Sequence, residues 1–488
     1  MATTRRQFLR SAGYTSALVA AAGAAAVVPG TPGFAAVAGA ATGDKKPWWL
    51  RGNFAPVRRE VTELDLDVTG HLPPELTGLF VRNGSNPANG PSPHWFLGDG
   101  MIHGVRLDRG KARWYRNRWV GTEMLESGIG VLSAENGGGS ASAPGGANNQ
   151  SNVALVSHGD KLLSLGEVGF PFEISTDDLS TVGAYDYEGR LTTAMTAHPK
   201  IDPKTGQLHF FGYGFVAPFL TYHVADEDGT LVHSEEIPVG ASTMMHDFAI
   251  TDRDVIFWEL PVLFDLELAV RGEMPYRWDP SYGARLGVMP LGGAAADIRW
   301  AEIDPCYVFH GINAYRNGDD IVVDVCRMPD VFVPGKDFLE TVSRPHRFTI
   351  DTSGPTLAVT DERLANRQMD LPTIDPRRRG LPNRYAWFAA TRRKPRSLEF
   401  GGVVQRDLRR GRNEVWEPGR GRHAGEGLFV AGDRGEGEGW VLTFLYDSRT
   451  RSSDLVVLDT SEFARGPVAR VRLPQRVPFG FHGAWVPA

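Results

Sequence analysis

The chain has 488 residues, of which 42% are hydrophobic and 23% are charged, and its formal net charge at pH 7 is −6. These proportions are typical of a soluble globular protein and exclude disorder over most of the length. A mildly acidic chain without an extended basic run also argues against nucleic acid as a partner.

The first forty residues have the features of an export signal. Arg5 and Arg6 precede a Gln-Phe-Leu sequence, an apolar alanine-rich run follows, and small residues near positions 36–40 provide a cleavage site. Twin arginines in this context are typical of the twin-arginine export route. An uncut membrane anchor is the alternative, but the apolar run is short and interrupted by Gly and Pro. We therefore expect a signal peptide at residues 1–40, a single domain at 41–488, and a periplasmic, cell-envelope or extracellular location.

The rest of the chain consists mainly of short β-like runs separated by turn residues, supplied by 57 glycines and 33 prolines. Strands are predicted at residues 161–165, 208–211, 254–258, 321–325 and 440–445. Short helices are predicted within 261–272 and 336–341, and a long surface loop at 127–151. Many short strands in more than 400 residues indicate an all-β fold, and a propeller rather than a sandwich. No fixed repeat is visible that would give the number of blades.

Cys306 and Cys326 are the only cysteines. Export would allow a disulfide, but the two residues flank a predicted turn asymmetrically, so we expect two buried free thiols. Arginine-rich clusters at 377–379 and 392–396 are expected to lie on the solvated surface. Contact with an anionic membrane surface is the alternative for these clusters.

Four of the thirteen histidines, His198, His246, His310 and His482, stand out by their context and are separated by 48, 64 and 172 residues. Since a propeller blade takes on the order of 50 residues, each is predicted to lie in a different blade. Inner strands of separate blades converge on one axis, where such residues can meet. Imidazole binds iron, zinc or copper. Four neutral ligands leave two positions open on octahedral iron(II), whereas zinc favours four-coordinate closure or three ligands plus water.

Residue types alone leave other interpretations open, because most histidines in proteins are structural. His94, His103, His209 and His423 are expected to be of that kind. A non-catalytic propeller that binds a ligand or a partner is one alternative, and loss of an axial histidine would be its signature. We expect no carboxylate to act as a base beside the four ligands, so a zinc or copper hydrolase has less support.

Eight segments, in this order, resemble motifs of the carotenoid cleavage oxygenase family. They are Gly52-Asn-Phe-Ala-Pro56, Phe80-Val-Arg-Asn-Gly84, His94-Trp-Phe-Leu-Gly-Asp-Gly-Met101, Tyr115-Arg-Asn-Arg118, Thr196-Ala-His-Pro-Lys200, Met245-His-Asp-Phe248, Phe309-His-Gly-Ile-Asn-Ala314 and Phe481-His-Gly-Ala-Trp485. The resemblance runs from about Asn53 to the C-terminus.

This resemblance implies an all-β, seven-bladed β-propeller with short helices and loops capping the active-site face. It implies one Fe(2+) per chain on the propeller axis, bound by the four histidines named above. It also implies carboxylates that hydrogen-bond to three of those histidines, and by motif these are Glu167, Asp370 and Glu426. A carboxylate that accepts the second ring N–H of a ligand histidine fixes its tautomer and orientation.

Two positions depart from the family pattern. Asp370 stands where the family usually has glutamate, and its side chain is one methylene shorter. We therefore predict that Asp370 contacts its partner histidine through a water molecule and not directly. Gly166 stands where relatives often carry a bulky side chain, which predicts a wider pocket.

The family's reaction is the cleavage of a C=C bond by O2, giving two carbonyl products, with no catalytic side chain beyond the iron centre. A hydrophobic polyene or aromatic alkene would need an apolar pocket, and Phe309 is the predicted wall residue. Phe96 and Trp258 are predicted to belong either to the pocket or to the core. Contact with a membrane surface, to extract such a substrate, is a hypothesis.

Two substrate classes compete within the family. Stilbene-cleaving relatives use a phenolate-binding lysine that precedes the segment containing Glu167. Residues 127–160 contain no lysine. The sequence therefore favours a carotenoid or apocarotenoid over a lignin-derived hydroxystilbene.

Overall fold

The computed structural model describes residues 46–128, 149–394, 397–433 and 435–488. These ranges belong to one compact unit, Asp44–Ala488. The predicted export signal at 1–40 and most of the predicted loop at 127–151 lie outside the described residues. In the described ranges, no helix is both long and apolar enough to cross a membrane.

The described chain is built from 33 strands and very short helices. The strands of the first half are β1 (Val61–Leu64), β2 (Val68–Gly70), β3 (Gly78–Arg82), β4 (Met101–Asp108), β5 (Lys111–Trp119), β6 (Ala154–His158), β7 (Lys161–Leu165), β8 (Phe172–Ile174), β9 (Thr181–Ala184), β10 (Lys200–Ile201), β11 (Leu208–Tyr213), β12 (Leu220–Ala225), β13 (Leu231–Glu236), β14 (Ala249–Ile250), β15 (Asp254–Glu259), β16 (Val262–Phe264) and β17 (Tyr276–Trp278). Those of the second half are β18 (Ala284–Pro290), β19 (Arg299–Ile303), β20 (Tyr307–Asn317), β21 (Asp320–Met328), β22 (Arg344–Asp351), β23 (Ala358–Arg363), β24 (Met369–Thr373), β25 (Tyr385–Lys394), β26 (Ser397–Asp407), β27 (Arg412–Trp416), β28 (Arg422–Ala424), β29 (Leu428–Ala431), β30 (Gly439–Asp447), β31 (Ser452–Asp459), β32 (Pro467–Arg472) and β33 (Gly483–Pro487).

The helices of the described ranges are all between three and six residues long. The α-helices are α1 (Glu123–Ser127) and α2 (Leu266–Val270). The 3-10 turns are Trp48–Leu50, Gly52–Phe54, Trp95–Leu97, Pro280–Tyr282, Ala295–Asp297, Phe338–Glu340, Pro376–Arg378 and Thr460–Arg465.

Seven antiparallel sheets form a seven-bladed β-propeller, which confirms the predicted fold. Blade 1 contains β1, β5, β4, β3 and β33; blade 2 contains β6–β9; blade 3 contains β10–β13; blade 4 contains β14, β15, β18 and β19; blade 5 contains β20–β23; blade 6 contains β24–β27; and blade 7 contains β2, β32, β31, β30, β28 and β29. A separate ribbon of β16 and β17 extends from blade 4 and carries α2 between its strands.

The two ends of the described chain close the ring. The C-terminal strand β33 pairs with β3, so that Phe80 lies opposite Trp485. Strand β2 likewise pairs with β32 to complete blade 7. Contacts between neighbouring sheets include those of β33 with β6 and β29, and of β20 with β14 and β24, and these strands lie at the edge of their blades that faces the propeller axis.

The middle strands of the blades are buried on both faces because each sheet packs between two others. In β15 every residue is buried, and Phe257 and Trp258 are among the largest fully enclosed side chains. Its sequence, DVIFWE, combines β-branched and aromatic residues that suit such a position. The five predicted strands all lie within observed ones.

Other local predictions had mixed outcomes. Cys306 and Cys326 are buried and free, as predicted. The segment 261–272 contains strand β16 as well as the predicted helix, and 336–341 contains only a 3-10 turn. Residues 149–151, the end of the predicted surface loop, are buried, so that part of the loop prediction is wrong. Of the cluster at 377–379, Arg377 is exposed and pairs with Asp375, as expected for solvated surface, whereas Arg378 and Arg379 are half-buried. The side chains of the cluster at 392–396 lie outside the described residues.

Candidate metal centre and cavity

Four histidines converge at the propeller axis. His198 precedes β10, His246 precedes β14, His310 lies in β20 and His482 precedes β33. They therefore come from four different blades, as the spacing predicted. One ring nitrogen from each lies within 4.8 Å of the others. The Nε2 atoms of His198 and His246 are 2.9 Å apart.

Three of the four imidazoles have a carboxylate at Nδ1. The distances are 3.0 Å from His246 to Glu167 Oε2, 2.6 Å from His310 to Asp370 Oδ1, and 2.8 Å from His482 to Glu426 Oε1. The carboxylates come from blades 2, 6 and 7, so each of the seven blades supplies one side chain to the site. His198 is the one of the four without a carboxylate contact among the described residues.

Each carboxylate is itself held in place by a second partner. The hydroxyl of Tyr213 donates to Glu167 Oε2 at 2.9 Å. The backbone N–H of Gly483 donates to Glu426 Oε2 at 2.7 Å. Such contacts fix the orientation of an imidazole and leave Nε2 with a free lone pair directed at the shared centre.

Asp370 holds His310 directly, so the predicted water-mediated contact is wrong. Its Oδ1 accepts from His310 Nδ1 at 2.6 Å and from Leu371 N at 2.8 Å. Leu371 has a φ of 52°, in the left-handed region that a bulky residue rarely adopts. The pairing of β24 with β25 is also irregular between Asp370 and Thr373. A bulge bends its strand and changes the direction of a side chain. Here the bend brings the Asp370 carboxylate within reach of His310, although aspartate is one methylene shorter than glutamate.

Electrostatics favour a bound cation at this centre. Burial, and then the neighbouring imidazoles, lower the pKa of His198 well below 6.5. Burial also lowers the pKa of His310. Burial raises the pKa of Asp370, but His310 and hydrogen bonds outweigh it and lower that pKa overall. The His198 and His246 Nε2 atoms, 2.9 Å apart, can share a hydrogen bond when one imidazole is the donor, and with both protons on Nδ1 they present two lone pairs that a cation between them would stabilise. The donor set therefore fits a divalent metal ion that accepts nitrogen ligands.

A large apolar cavity leads to the histidines. Its empty volume is about 1540 Å³, counting the mouth that opens to solvent. Aromatic side chains form much of its wall, namely Trp95, Phe96, Tyr213, Phe215, Tyr276, Phe309, Phe338, Phe400 and Phe481. His246, His310 and His482 line its inner end. Among the described residues that line it there is no lysine or arginine.

The predicted wall residue Phe309 lies where the sequence indicated. Its ring centroid is 5.2 Å from that of His246, in an edge-to-face arrangement. Phe96 also lines the cavity, 6.0 Å from Phe309. Trp258 is instead a core residue, 2% exposed. Of the two residues predicted to belong either to the pocket or to the core, Phe96 thus belongs to the pocket and Trp258 to the core.

Gly166 does not widen the cavity, contrary to the prediction. A Cβ at this position would lie 3.1 Å from Asn149 Oδ1 and 3.3 Å from Ser151 N. Gly166 is also absent from the described cavity wall. The glycine instead makes room for the buried backbone at 149–151.

Most of the aromatic wall residues, Phe481 and Phe338 among them, were not predicted from the sequence. Phe481 directly precedes His482, as Phe309 precedes His310, so the same signal was present for both. Phe338 lies in the 3-10 turn Phe338–Glu340, and its sequence context carries no such signal.

Comparisons with known proteins agree with this fold and site. The retinal pigment epithelial membrane protein family profile matches residues 54–487. The chain is 36% identical to the carotenoid cleavage oxygenase of Mycobacterium tuberculosis, over 90% of this chain and 97% of that protein. It is 34% identical to the carotenoid 9,10(9',10')-cleavage dioxygenase of Crocus sativus, over 90% of this chain and 89% of that protein. The structure of Pseudomonas brassicacearum lignostilbene dioxygenase is similar, with a TM-score of 0.83 and 27% identity, over 91% of this chain and all of that one.

The protein is therefore an oxygenase, and the chain belongs to the carotenoid cleavage oxygenase family.

Proposed function

We propose that the protein is a non-haem iron(II) dioxygenase that cleaves a C=C bond of a carotenoid or apocarotenoid with O2, giving two carbonyl products. The observation that carries this proposal is the apolar, aromatic cavity whose inner end is formed by three of the four converging histidines. Such a cavity binds a long hydrophobic alkene and excludes water from the reacting end.

His198, His246, His310 and His482 would hold the iron, one ion per chain. Bound iron(II) supplies the centre at which O2 is activated beside the alkene. Asp370 and Glu426 accept hydrogen bonds from Nδ1 of His310 and His482, which leaves Nε2 of these histidines free to act as a ligand, and Glu167 places a negative charge 3.0 Å from His246 Nδ1. The aromatic side chains position the substrate, and the reaction needs no general base from the protein.

The composition of the cavity wall favours a polyene over a phenolic stilbene. The Mycobacterium tuberculosis and Crocus sativus relatives are named for carotenoid cleavage, and the Pseudomonas brassicacearum structure is of a lignostilbene dioxygenase. A phenolate in an apolar cavity requires a compensating cation. The described wall provides none, whereas a hydrocarbon chain needs none.

We also propose that the protein is exported by the twin-arginine route and contacts membranes to collect its substrate. Arg5, Arg6 and the following apolar run support the export proposal. Leu266 and Val270 on α2 are 47% and 75% exposed. Helix α2 joins the ribbon strands β16 and β17. The cavity is lined by residues 274–276, which lie at the start of β17 and directly before it. Exposed apolar residues at that place suit contact with a lipid surface.

Oxygen uptake tests the proposed activity. Iron-loaded protein lacking residues 1–40 is given an apocarotenal or a hydroxystilbene, and the products are weighed by mass spectrometry. We expect O2 uptake with the apocarotenal and a pair of carbonyl products whose masses add up to substrate plus O2. Uptake with the hydroxystilbene alone would contradict the substrate proposal. No uptake with either substrate, at one bound iron per chain, would contradict the dioxygenase proposal.

A comparison of substrate forms tests the membrane proposal. Substitution of Leu266 and Val270 by serine should slow turnover of substrate held in liposomes and leave turnover of detergent-solubilised substrate unchanged. If the variant turned over the liposomal substrate as fast as the unmodified protein does, the membrane proposal would be contradicted. Export is tested with a reporter protein fused after residues 1–40. The reporter should be exported, and the substitutions Arg5→Lys and Arg6→Lys should abolish its export.

A further inference from the structure

A buried ion pair lies beside the histidine cluster. Lys200 Nζ is 2.5 Å from Asp247 Oδ1, and the two side chains are 8% and 2% exposed. The Lys200 ammonium also lies over the ring of Phe248, 5.6 Å from its centroid. We call these two residues the blade-linking pair, because Lys200 belongs to blade 3 and Asp247 leads into blade 4.

The Asp247 carboxylate also reaches blade 5. Its Oδ2 accepts from the backbone N–H of Gly311 at 2.7 Å, and its Oδ1 accepts from Phe248 N at 2.7 Å. A Cβ at Gly311 would lie 3.0 Å from the Trp258 ring and 3.4 Å from Asp247 Oδ2, so the backbone there fits closely against the carboxylate. One carboxylate thus joins three consecutive blades at the axis.

The three joined points are sequence neighbours of three histidines. Lys200 follows His198 by two residues, Asp247 directly follows His246, and Gly311 directly follows His310. A further hydrogen bond, from Thr196 Oγ1 to the backbone carbonyl of His246 at 3.0 Å, connects the first two segments. A displacement at any of these points would therefore move an imidazole of the cluster.

Stability does not account for this pair. Removing two charges from water costs several kcal/mol per ion, so a buried ion pair is often no more stabilising than apolar residues of similar volume. Burial lowers the pKa of Lys200, which reflects this cost. Arg379, near Asp247, also has its pKa lowered by burial. Buried ionic groups are best attested as devices that fix the register of packed elements.

We propose that the Lys200–Asp247 pair is a positioning device that sets the mutual placement of His198, His246 and His310, and thereby the affinity and geometry of the metal site. This inference rests on the proposed metal-binding function of the histidines. Neither residue lines the cavity or takes part in the reaction. The pair acts through the backbone segments that carry the three imidazoles.

The test uses a double variant that removes both charges, Lys200→Met with Asp247→Asn. Asparagine cannot accept from both Gly311 N and Phe248 N as the two carboxylate oxygens do, because one of its atoms is a donor. Because the Lys200 ammonium is removed together with the Asp247 carboxylate, the double variant should lose only a few degrees of melting temperature, although Arg379 loses its acidic neighbour. The single variant Asp247→Asn leaves a buried unpaired ammonium and should melt markedly lower.

A second buried ion pair provides the matched control. Arg347 donates to Asp324 at 2.7 Å and 2.8 Å between β21 and β22 of blade 5, and Asp324 is 0% exposed. The corresponding variant, Arg347→Met with Asp324→Asn, removes a similar pair from the middle of a blade. It should leave the metal site unchanged, because neither residue adjoins a histidine of the cluster.

Cobalt(II) binding to the full chain is measured by titration and by its visible ligand-field spectrum. We expect the Lys200/Asp247 double variant to bind cobalt at least about tenfold more weakly than the unmodified protein, with an altered spectrum. The Arg347/Asp324 control should match the unmodified protein in both. Unchanged affinity and spectrum in the Lys200/Asp247 variant would overturn the inference alone. Failure of the unmodified protein to bind one cobalt per chain would overturn the proposed metal site together with it.

Discussion

Most of the buried histidines among the described residues lie in one of two regions, the propeller axis and the middle of the blades. Inside the blades, His103 bonds through Nδ1 to the hydroxyl of Tyr115 at 2.8 Å, and His209 to that of Tyr222 at 2.7 Å. His223 bonds to Ser234 and Thr193, each at 2.8 Å. At the axis three of the four histidines have a carboxylate at Nδ1, and one nitrogen of each of the four faces a shared centre.

The difference shows that burial does not distinguish a candidate ligand from a structural histidine. His103 and His209 are 2% and 1% exposed, while His246 and His310 are 8% and 9% exposed. What the four axial histidines have in common is a ring nitrogen directed at one shared centre, and three of them also have a carboxylate at the other nitrogen. A hydroxyl partner satisfies a neutral imidazole, whereas a carboxylate returns negative charge to a site built for a cation.

Loss of an axial histidine should have the largest effect. In His310→Ala we expect bound iron to fall from about one per chain towards zero and oxygen uptake to drop at least about a thousandfold, because metal activation supplies several kcal/mol. The matched variant His209→Ala should keep its iron, although it should unfold at a lower temperature. Iron content by elemental analysis checks both. Iron retained in His310→Ala and lost in His209→Ala would reverse the assignment of the two regions.

The structural histidines should make the protein sensitive to acid. Burial lowers the pKa of His94 to about 4, that of His209 to about 4 and that of His223 to about 3. Between these values and the unfolded pKa near 6.5 the unfolded chain binds more protons, so stability falls as the pH falls and is level above about pH 6.5. Each of these histidines should lower the free energy of unfolding by on the order of 3 kcal/mol as the pH falls through that range.

Urea unfolding of metal-free protein between pH 4 and pH 8 measures this dependence. Substitution of His223 by glutamine should reduce the steepness of the decline below pH 6.5. A free energy of unfolding that stays constant from pH 8 to pH 4 would show that these histidines are not held neutral.

Neutralising one carboxylate at the axis should have a smaller effect on the metal. Glu426→Gln removes the charge that faces His482 Nδ1 and should weaken metal binding by about 10- to 100-fold, with little change in melting temperature. Cobalt titration of the two proteins gives the ratio. Equal affinities would mean that the carboxylate only packs against its histidine.

The corresponding change inside a blade should affect stability alone. Tyr222→Phe removes the hydroxyl that bonds to His209 Nδ1, and we expect a loss of about 1–2 kcal/mol in the free energy of unfolding. Metal affinity should stay within error of the unmodified protein. A weaker metal site in Tyr222→Phe would break the separation between the two regions.

Much of the fold was predictable because strand signals in this chain are local. Runs such as Lys161–Leu165 combine apolar residues with flanking turn residues, and each formed a strand. The number of blades came only from the family resemblance, since blades of unequal length hide the repeat. Blade 4 illustrates this, because β16, α2 and β17 are inserted between its second and third strands.

The sequence identified which residues lie at the axis, but it predicted only some of their contacts. The histidines and carboxylates lie in recognisable segments, but the reach of Asp370 depends on the left-handed backbone at Leu371. The role of Gly166 depends on its contact with the buried segment 149–151. The Lys200–Asp247 pair was not anticipated, because it joins residues 47 positions apart whose proximity arises only when blades 3 and 4 pack together.

Anomalous diffraction at the iron absorption edge, from crystals of iron(II)-loaded protein, tests the central claim most directly. A single strong peak within bonding distance of the Nε2 atoms of His198, His246, His310 and His482, next to the apolar cavity, is the predicted result. Iron bound elsewhere, or no peak at the axis when the crystals contain one iron per chain, would contradict a four-histidine iron centre in this protein.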